Sequence, residues 1–401
     1  MAIIVQKYGG SSVSSPDKLG RVADRIVAAR AAGDLPVVVV SAMGKTTDAL
    51  VALAAEVSTQ SHRREMDMIL TAGERVSMAL LAMAVIDRGC EALSLTGSQA
   101  GIITNTDHSQ ARIIEVRPNR VREALSKGKV VIVGGFAGVS TAKEVTTLGR
   151  GGSDTTAIAL AAALDATSCD IFSDVEGIFT ADPRVVDDAQ LIDQMSHGEI
   201  LEMGLRGARV LAPEAIDYAR RHGIDLRASS TFGAGRGTLV TQAPQPGRGR
   251  AVGVSADPAV LPCSFAGSET ALAALLFTLE GNGLSWKEIQ VEGPTSARQA
   301  ELLLDTRNSP QASLILSEVA AALPEDSKLE WRDQMGTVTV VGEGLAERRA
   351  CWEIARKSLD SLGVETHCLR GSSWGITAEV PRDSLDDVVR SWHEAFPGLT
   401  K

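Results

Sequence analysis

Cysteine is scarce in this chain, and the five present (Cys90, Cys169, Cys263, Cys351, Cys368) form no pattern. An odd number of distant cysteines without CxxC or metal-ligand spacing argues against a disulfide framework or a zinc site. It points to reduced thiols in a cytoplasmic protein. The six histidines are equally scattered. No run of about 18 apolar residues, as a membrane span needs, occurs, and Met1–Gly10 lacks a signal-peptide pattern. Positive charge is short as well: 40 Lys and Arg against 50 Asp and Glu leave a formal net charge of −10. Nucleic acid and anionic membranes are thereby poor partners, and an anionic substrate has to be held by local cations. Walker-type phosphate loops are absent too, because no Gly-x4-Gly-Lys-Ser/Thr occurs.

What remains is ordinary for two or three soluble domains: 401 residues, 44% apolar and 22% charged. Apolar β-branched runs at Ile3–Val5, Val37–Val40 and Val130–Val133 alternate with helical segments. A fourth strand candidate, Asp170–Ser173, follows the apolar helix Ala157–Leu164. Continuous runs of this kind predict strands buried on both faces, as in a parallel sheet covered by helices. Ligands of such sheets gather at the carboxyl ends of strands. Lys7, Ser41–Gly44, Gly134–Phe136 and Asp174 all fall there.

Two glycine loops add chemistry to those strand ends. Leu148–Thr156 reads Leu-Gly-Arg-Gly-Gly-Ser-Asp-Thr-Thr and opens into a helix. Glycine allows close backbone approach, the first helical N–H groups are unsatisfied, and Arg150 adds a fork for carboxylate or phosphate. Taken alone, the loop also fits a plain Ser-capped helix start. The second loop, Lys7-Tyr8-Gly9-Gly10-Ser11-Ser12-Val13, repeats the arrangement, with Lys7 at a strand exit. Ser15-Pro16 predicts a helix N-cap and first turn, Leu19, Val22 and Ile26 continue it, and Gly33 lies beyond its end.

Beyond Thr238–Val240, Gln242–Arg250 reads as a linker, and all five tryptophans lie after it. The C-terminal part carries a weak repeat. One copy has a strand at Leu261–Phe265, a helix at Glu269–Leu279 and strands near Ile289 and Leu302. The other has a strand at Thr337–Val341, a helix at Glu347–Leu362, and strands near Thr366 and at Ile376–Val380. A last amphipathic helix holds Leu385, Val388, Val389 and Trp392. Two small βαββαβ-like units are expected.

Five motifs stand in order: Lys7–Val13, Ser41–Gly44, Thr71-Ala72-Gly73-Glu74-Arg75, Leu148–Asp154 and Ser173–Arg184. Together they resemble the aspartate kinases of the amino-acid kinase family, nearly continuously over residues 1–240. The C-terminal part is similar, far less closely, to that family's paired ACT domains. The resemblance implies an α/β protein: an amino-acid kinase fold, mainly a parallel sheet flanked by helices, followed by two ferredoxin-like ACT domains. It divides the chain into a catalytic domain at 1–240, a linker at 241–250 and two ACT-like regulatory domains at 251–401, with interleaving left open.

The same resemblance implies ATP-dependent phosphorylation of the β-carboxylate of L-aspartate, with Mg²⁺ arriving through ATP and no metal ligands of the protein's own. Lys7 would neutralise the transferring phosphoryl group, and Gly9, Gly10 and Ser11 would contact it. Arg150 would grip the substrate α-carboxylate and Glu74 its ammonium, with Thr47 and Ser153 completing the pocket. Asp154 would orient the cations. Ser173, Asp174, Phe179, Asp182 and Arg184 would line the nucleotide site. Two plainer readings compete: Glu74 as a surface carboxylate paired with Arg75, and Asp182-Pro183-Arg184 as a simple turn. Association through the ACT domains implies a homodimer or larger oligomer.

Three departures from the family pattern matter. Gly207-Ala208-Arg209-Val210-Leu211 has arginine where the family has an ATP-contacting lysine, and the two are not interchangeable. Phe179 replaces the usual tyrosine. The Asp-x-Pro-Gly effector loops are missing: Ala266–Glu269 and Gly342–Glu347 stand in their places, and Pro294–Ala300 is an altered connection. Weakened or altered feedback by lysine or threonine is therefore expected. The alternatives are a kinase acting on another acid and a non-catalytic regulatory paralogue.

Overall fold

The computed structural model describes all residues except Ser61, Arg150, Arg209, Val210, Ala234, 243–248, Asn308, Pro310 and Lys401. The chain forms two compact units. The first comprises Met1–Ile178, Leu191–Leu201 and Arg209–Pro246; the second comprises Phe179–Gln190, Glu202–Ala208 and Gly247–Lys401.

An eight-stranded sheet organises the first unit. Its order is Gln194–Ser196, Gly237–Thr241, Leu226–Ser230, Ser168–Ser173, Ile3–Tyr8, Leu35–Val40, Val130–Gly134 and Ala92–Leu95. All neighbours are parallel except Leu226–Ser230 with Gly237–Thr241. Val37–Val40 and Val130–Val133 are fully buried, as their unbroken valine and isoleucine runs predict. Tyr8, Val38, Val40, Val130 and Ile132 pack one face against the helices Pro16–Ala31 and Arg63–Ile86. By strand alternation Lys7 and Val39 point to the other face, where the helix Gly152–Leu164 lies. That helix is apolar almost all round and buried accordingly. A smaller sheet, ordered Ile113–Val116, Ile102–Thr104, Ala137–Ser140 and Val145–Thr147, completes the unit.

Helix Arg63–Ile86 alone among the described helices is long and apolar enough to cross a membrane. Glu74 and Arg75 interrupt it, which is why no unbroken apolar run shows in the sequence. Its buried face is polar in part, holding Asp67, Thr71, Glu74 and Ser77. It is a core helix.

In the second unit, two four-stranded antiparallel sheets each follow the ferredoxin-like order. One is built from a continuous stretch: strands Val260–Gly267, Ser285–Glu292, Arg298–Asp305 and Lys328–Trp331, with helices Glu269–Gly281 and Ala312–Ala322. The other uses Met335–Val341, Cys368–Ser372 and Gly375–Pro381, with helices Arg349–Leu362 and Leu385–Ala395. Its fourth strand, Gly253–Asp257, comes from before the first sheet, so one ferredoxin-like unit is nested inside the other. The helix expected from Glu347 begins at Arg349, because left-handed Gly344 (φ +73°) leads into a 3-10 turn at Leu345–Glu347. Trp392 and Phe396 fill the core, and Ala181 and Val186 from the early segment join them.

Candidate active site

Lys7 leaves the central strand with its side chain mostly buried and its Nζ 2.6 Å from Asp154 Oδ1. Residues from the two glycine loops, far apart in sequence, thus meet in one ion pair. Asp154 lies in the first turn of helix Gly152–Leu164, where the helix dipole favours an anion. That helix has no side-chain cap. Its N-cap is Gly151 in the left-handed region (φ +70°), which corrects the Ser-capped alternative. A Cβ on Gly151 would fall 2.0 Å from the Ala212 Cβ, so both the backbone angle and the space demand glycine.

The N-terminal loop is packed just as closely. Gly44 N–H donates to Gly10 O (3.0 Å), and a Cβ on Gly10 would sit 2.8 Å from Ala42 O. Behind it, Ser15 accepts from Lys18 N–H and Pro16 opens the helix, as the Ser-Pro pair predicts. The loop at Gly9–Ser11 and the Ser41–Gly44 loop therefore form one backbone-on-backbone unit.

On the acceptor side, Glu74 is 6% exposed. Its Oε1 accepts from Ala42 N–H at 3.2 Å, whereas its buried Oε2 has no hydrogen-bond partner among the described residues. Burial pushes its pKa up to about 7. Among the described residues Glu74 makes no ion pair, so the reading that pairs it with Arg75 fails. Thr71, Glu74, Arg75, Gly134 and Gly135 line a cleft. Ser153 presses against Gly135, where an added Cβ would lie 2.9 Å from its Oγ. The first unit thus holds a mostly buried Lys7–Asp154 pair at an uncapped helix start and, on helix Arg63–Ile86, a buried carboxylate with one oxygen unpartnered among the described residues.

The amino acid kinase family pattern matches residues 2–227. Over 99% of its length this chain is 39% identical to the aspartokinase of Corynebacterium glutamicum, covering 96% of that protein. It is 40% identical to the aspartokinase of Mycolicibacterium smegmatis at the same coverage. The chain belongs to the aspartokinase family. The crystal structure of E. coli aspartokinase III in complex with aspartate and ADP shares its fold (TM-score 0.83, 24% identity), covering 98% of this chain and 99% of that one.

The other positions that the aspartokinase pattern singles out are spread more widely. Thr47 stands half-buried in the first turn of helix Thr46–Val57. The Ser11 carbonyl accepts from Lys18 Nζ at 2.8 Å. Ser173 ends its strand, its hydroxyl accepting from Val175 N–H at 3.3 Å, and exposed Asp174 follows. Phe179, Asp182 and Arg184 lie in the segment that packs into the second unit. Asp182 accepts from the Arg184 backbone (2.9 Å) and guanidinium (2.6 Å), so Asp182-Pro183-Arg184 is a closed turn. Arg150 and Arg209 lie outside the described residues. Among the described residues, no group of three His, Cys, Asp or Glu could hold a metal ion. Sequence reasoning placed Gly134–Phe136 at a strand end but passed over Asp67. A signal for Asp67 existed, since it stands seven residues before Glu74 and so on the same helix face.

Proposed function

We propose that this protein transfers the γ-phosphoryl group of ATP to the β-carboxylate of L-aspartate, forming 4-phospho-L-aspartate. The bare Oε2 of buried Glu74 carries this reading, because an ammonium group supplies the partner it lacks. The nucleophile is already an anion and needs no general base. The difficulty is bringing two anions together, so catalysis rests on positioning and charge neutralisation. Lys7, held by Asp154, meets the transferring phosphoryl group, and Gly9, Gly10 and Ser11 approach it closely. Asp154 orients Lys7 and takes no proton. Arg150 holds the α-carboxylate, Glu74 the ammonium, and Thr47 and Ser153 close the pocket. Ser173, Asp174, Phe179, Asp182, Arg184 and Arg209 serve the nucleotide. Mg²⁺, entering with ATP, supplies further charge neutralisation at the phosphates.

Residues 251–401 would act as two ACT-like regulatory domains in a cytoplasmic homodimer or larger oligomer, with altered feedback. Loop closure supports the change in feedback. Ser268 caps helix Glu269–Gly281 by accepting from Ala271 N–H (3.2 Å), and Glu269 pairs with Arg298. These contacts tie the stretch that stands in the place of the family's effector loop to its own helix and to Arg298. The product would feed lysine, threonine and methionine synthesis or another aspartate-derived compound.

The test is acyl-phosphate formation with MgATP, trapped by hydroxylamine, on L-aspartate, L-glutamate and N-acetyl-L-glutamate. Aspartyl hydroxamate alone is expected. Product from another acid, or from none, would overturn the reading.

A further inference from the structure

Asp67 is completely buried on helix Arg63–Ile86, outside the cleft lining, and plays no part in the proposed transfer. A buried carboxylate is costly unless donors surround it. Here they come from two other elements. His108 Nδ1–H donates to Oδ2 (2.7 Å), Thr147 Oγ1–H donates to Oδ1 (2.6 Å), and Ser109 N–H reaches both oxygens (3.1 and 3.2 Å). A carboxylate only accepts, so His108 carries its proton on Nδ1.

These partners belong to one body. Ala111 N–H donates to Thr147 O (2.9 Å), joining the loop around 105–111 to strand Val145–Thr147. A Cβ on Gly149 would come within 3.3 Å of Ser109 O, so the same loop braces the start of the glycine stretch. That stretch continues through Ser153 to Asp154, the partner of Lys7. On the helix side, Asp67, Thr71 and Glu74 occupy i, i+4 and i+7 of one face. Thr71 and Glu74 line the cleft. Asp67 therefore ties the element that carries Glu74 to the element that carries Ser153 and Asp154.

We infer that Asp67 is a positioning residue that fixes the spacing between Glu74 and the helix start at Ser153 and Asp154, and so the length of acid the pocket accepts. This rests on the proposed aspartate kinase activity. An acceptor held by its ammonium and α-carboxylate while its side-chain carboxylate faces Lys7 has a defined span. One more methylene adds a further C–C bond of about 1.5 Å to the chain between those groups. A rigid tie across the pocket refuses that extra length; a loosened one tolerates it.

The experiment uses the full chain and variants that each delete one donor: Thr147→Val and His108→Leu, with Thr147→Ser keeping the hydroxyl. KM for L-aspartate is expected to rise about tenfold in Thr147→Val and His108→Leu, with KM for ATP within about twofold of wild type. The preference for L-aspartate over L-glutamate in kcat/KM should narrow by about the same factor, and Thr147→Ser should behave as wild type. A uniform fall in kcat with both KM values and the preference unchanged would overturn the inference, because destabilisation alone does that. Unaltered kinetics in all three variants would overturn it as well. Wild-type protein that forms no aspartyl hydroxamate would instead refute the activity on which the inference depends.

Discussion

Asp67 and Glu74 lie two turns apart on the buried face of one helix, yet their surroundings are opposite. Asp67 has donors on both oxygens, from a ring, a hydroxyl and a backbone amide. Among the described residues Glu74 has one donor, the Ala42 backbone N–H, and one bare oxygen, and burial lifts its pKa to about 7. The first site is finished in the free protein. The second is left incomplete at a cost of about 1–3 kcal/mol, the usual penalty of an unsatisfied buried polar atom. Folding alone would not favour such a vacancy, whereas a ligand with a matching ammonium would remove the penalty on binding.

Removing the charge at Glu74 breaks the contrast most severely. Glu74→Gln keeps the shape but offers the ammonium a neutral partner in a desolvated site. A loss of about 100-fold or more in kcat/KM for L-aspartate is expected, with KM for ATP little changed. Steady-state hydroxamate kinetics measure both. A loss within about threefold would remove Glu74 from the proposed acceptor pocket.

The two carboxylates also differ in how far their sequence context reveals them. Glu74 sits in the compact Thr-Ala-Gly-Glu-Arg motif, five consecutive residues beside a strand end. Asp67 owes its environment to His108, Ser109 and Thr147, which are 41, 42 and 80 residues away and share no local pattern with it. The fold divides the same way. Val37–Val40 and Val130–Val133 announce buried parallel strands because every residue is apolar and β-branched. The nested C-terminal half is hidden, since Gly253–Asp257 pairs with Met335–Val341 across an entire intervening βαββαβ unit. Likewise nothing in Phe179–Gln190 declares that Ala181 and Val186 enter the core around Trp392.

The pH profile sharpens the comparison further. Only ionised Glu74 can hold an ammonium, and its pKa in the free protein is raised to about 7. Protonation therefore competes with substrate below that pH. In wild type, kcat/KM for L-aspartate should fall about tenfold per unit as pH drops below about 7. Glu74→Gln should lack this limb while keeping its low activity. A wild-type profile flat down to pH 5 would show that another group sets the acceptor affinity.

Stability carries the smallest effect and has the opposite sign. Glu74 titrates near 4.5 when unfolded and near 7 when folded, so the folded state binds the extra proton between those values. Its contribution is then fully present below pH 4.5 and lost as pH rises through 7. Above that pH the free protein carries a buried, half-partnered charge. Glu74→Gln should therefore melt higher than wild type at pH 8, by about 2–5 °C, with the gap closing at pH 5. The finished site at Asp67 predicts the reverse at pH 8: Asp67→Asn places an amide N–H against donors and should melt lower than wild type. Thermal unfolding of the three proteins at both pH values decides the matter. If both substitutions lowered the melting temperature equally, Glu74 would be a structural carboxylate like its neighbour, and its bare oxygen would no longer point to a ligand.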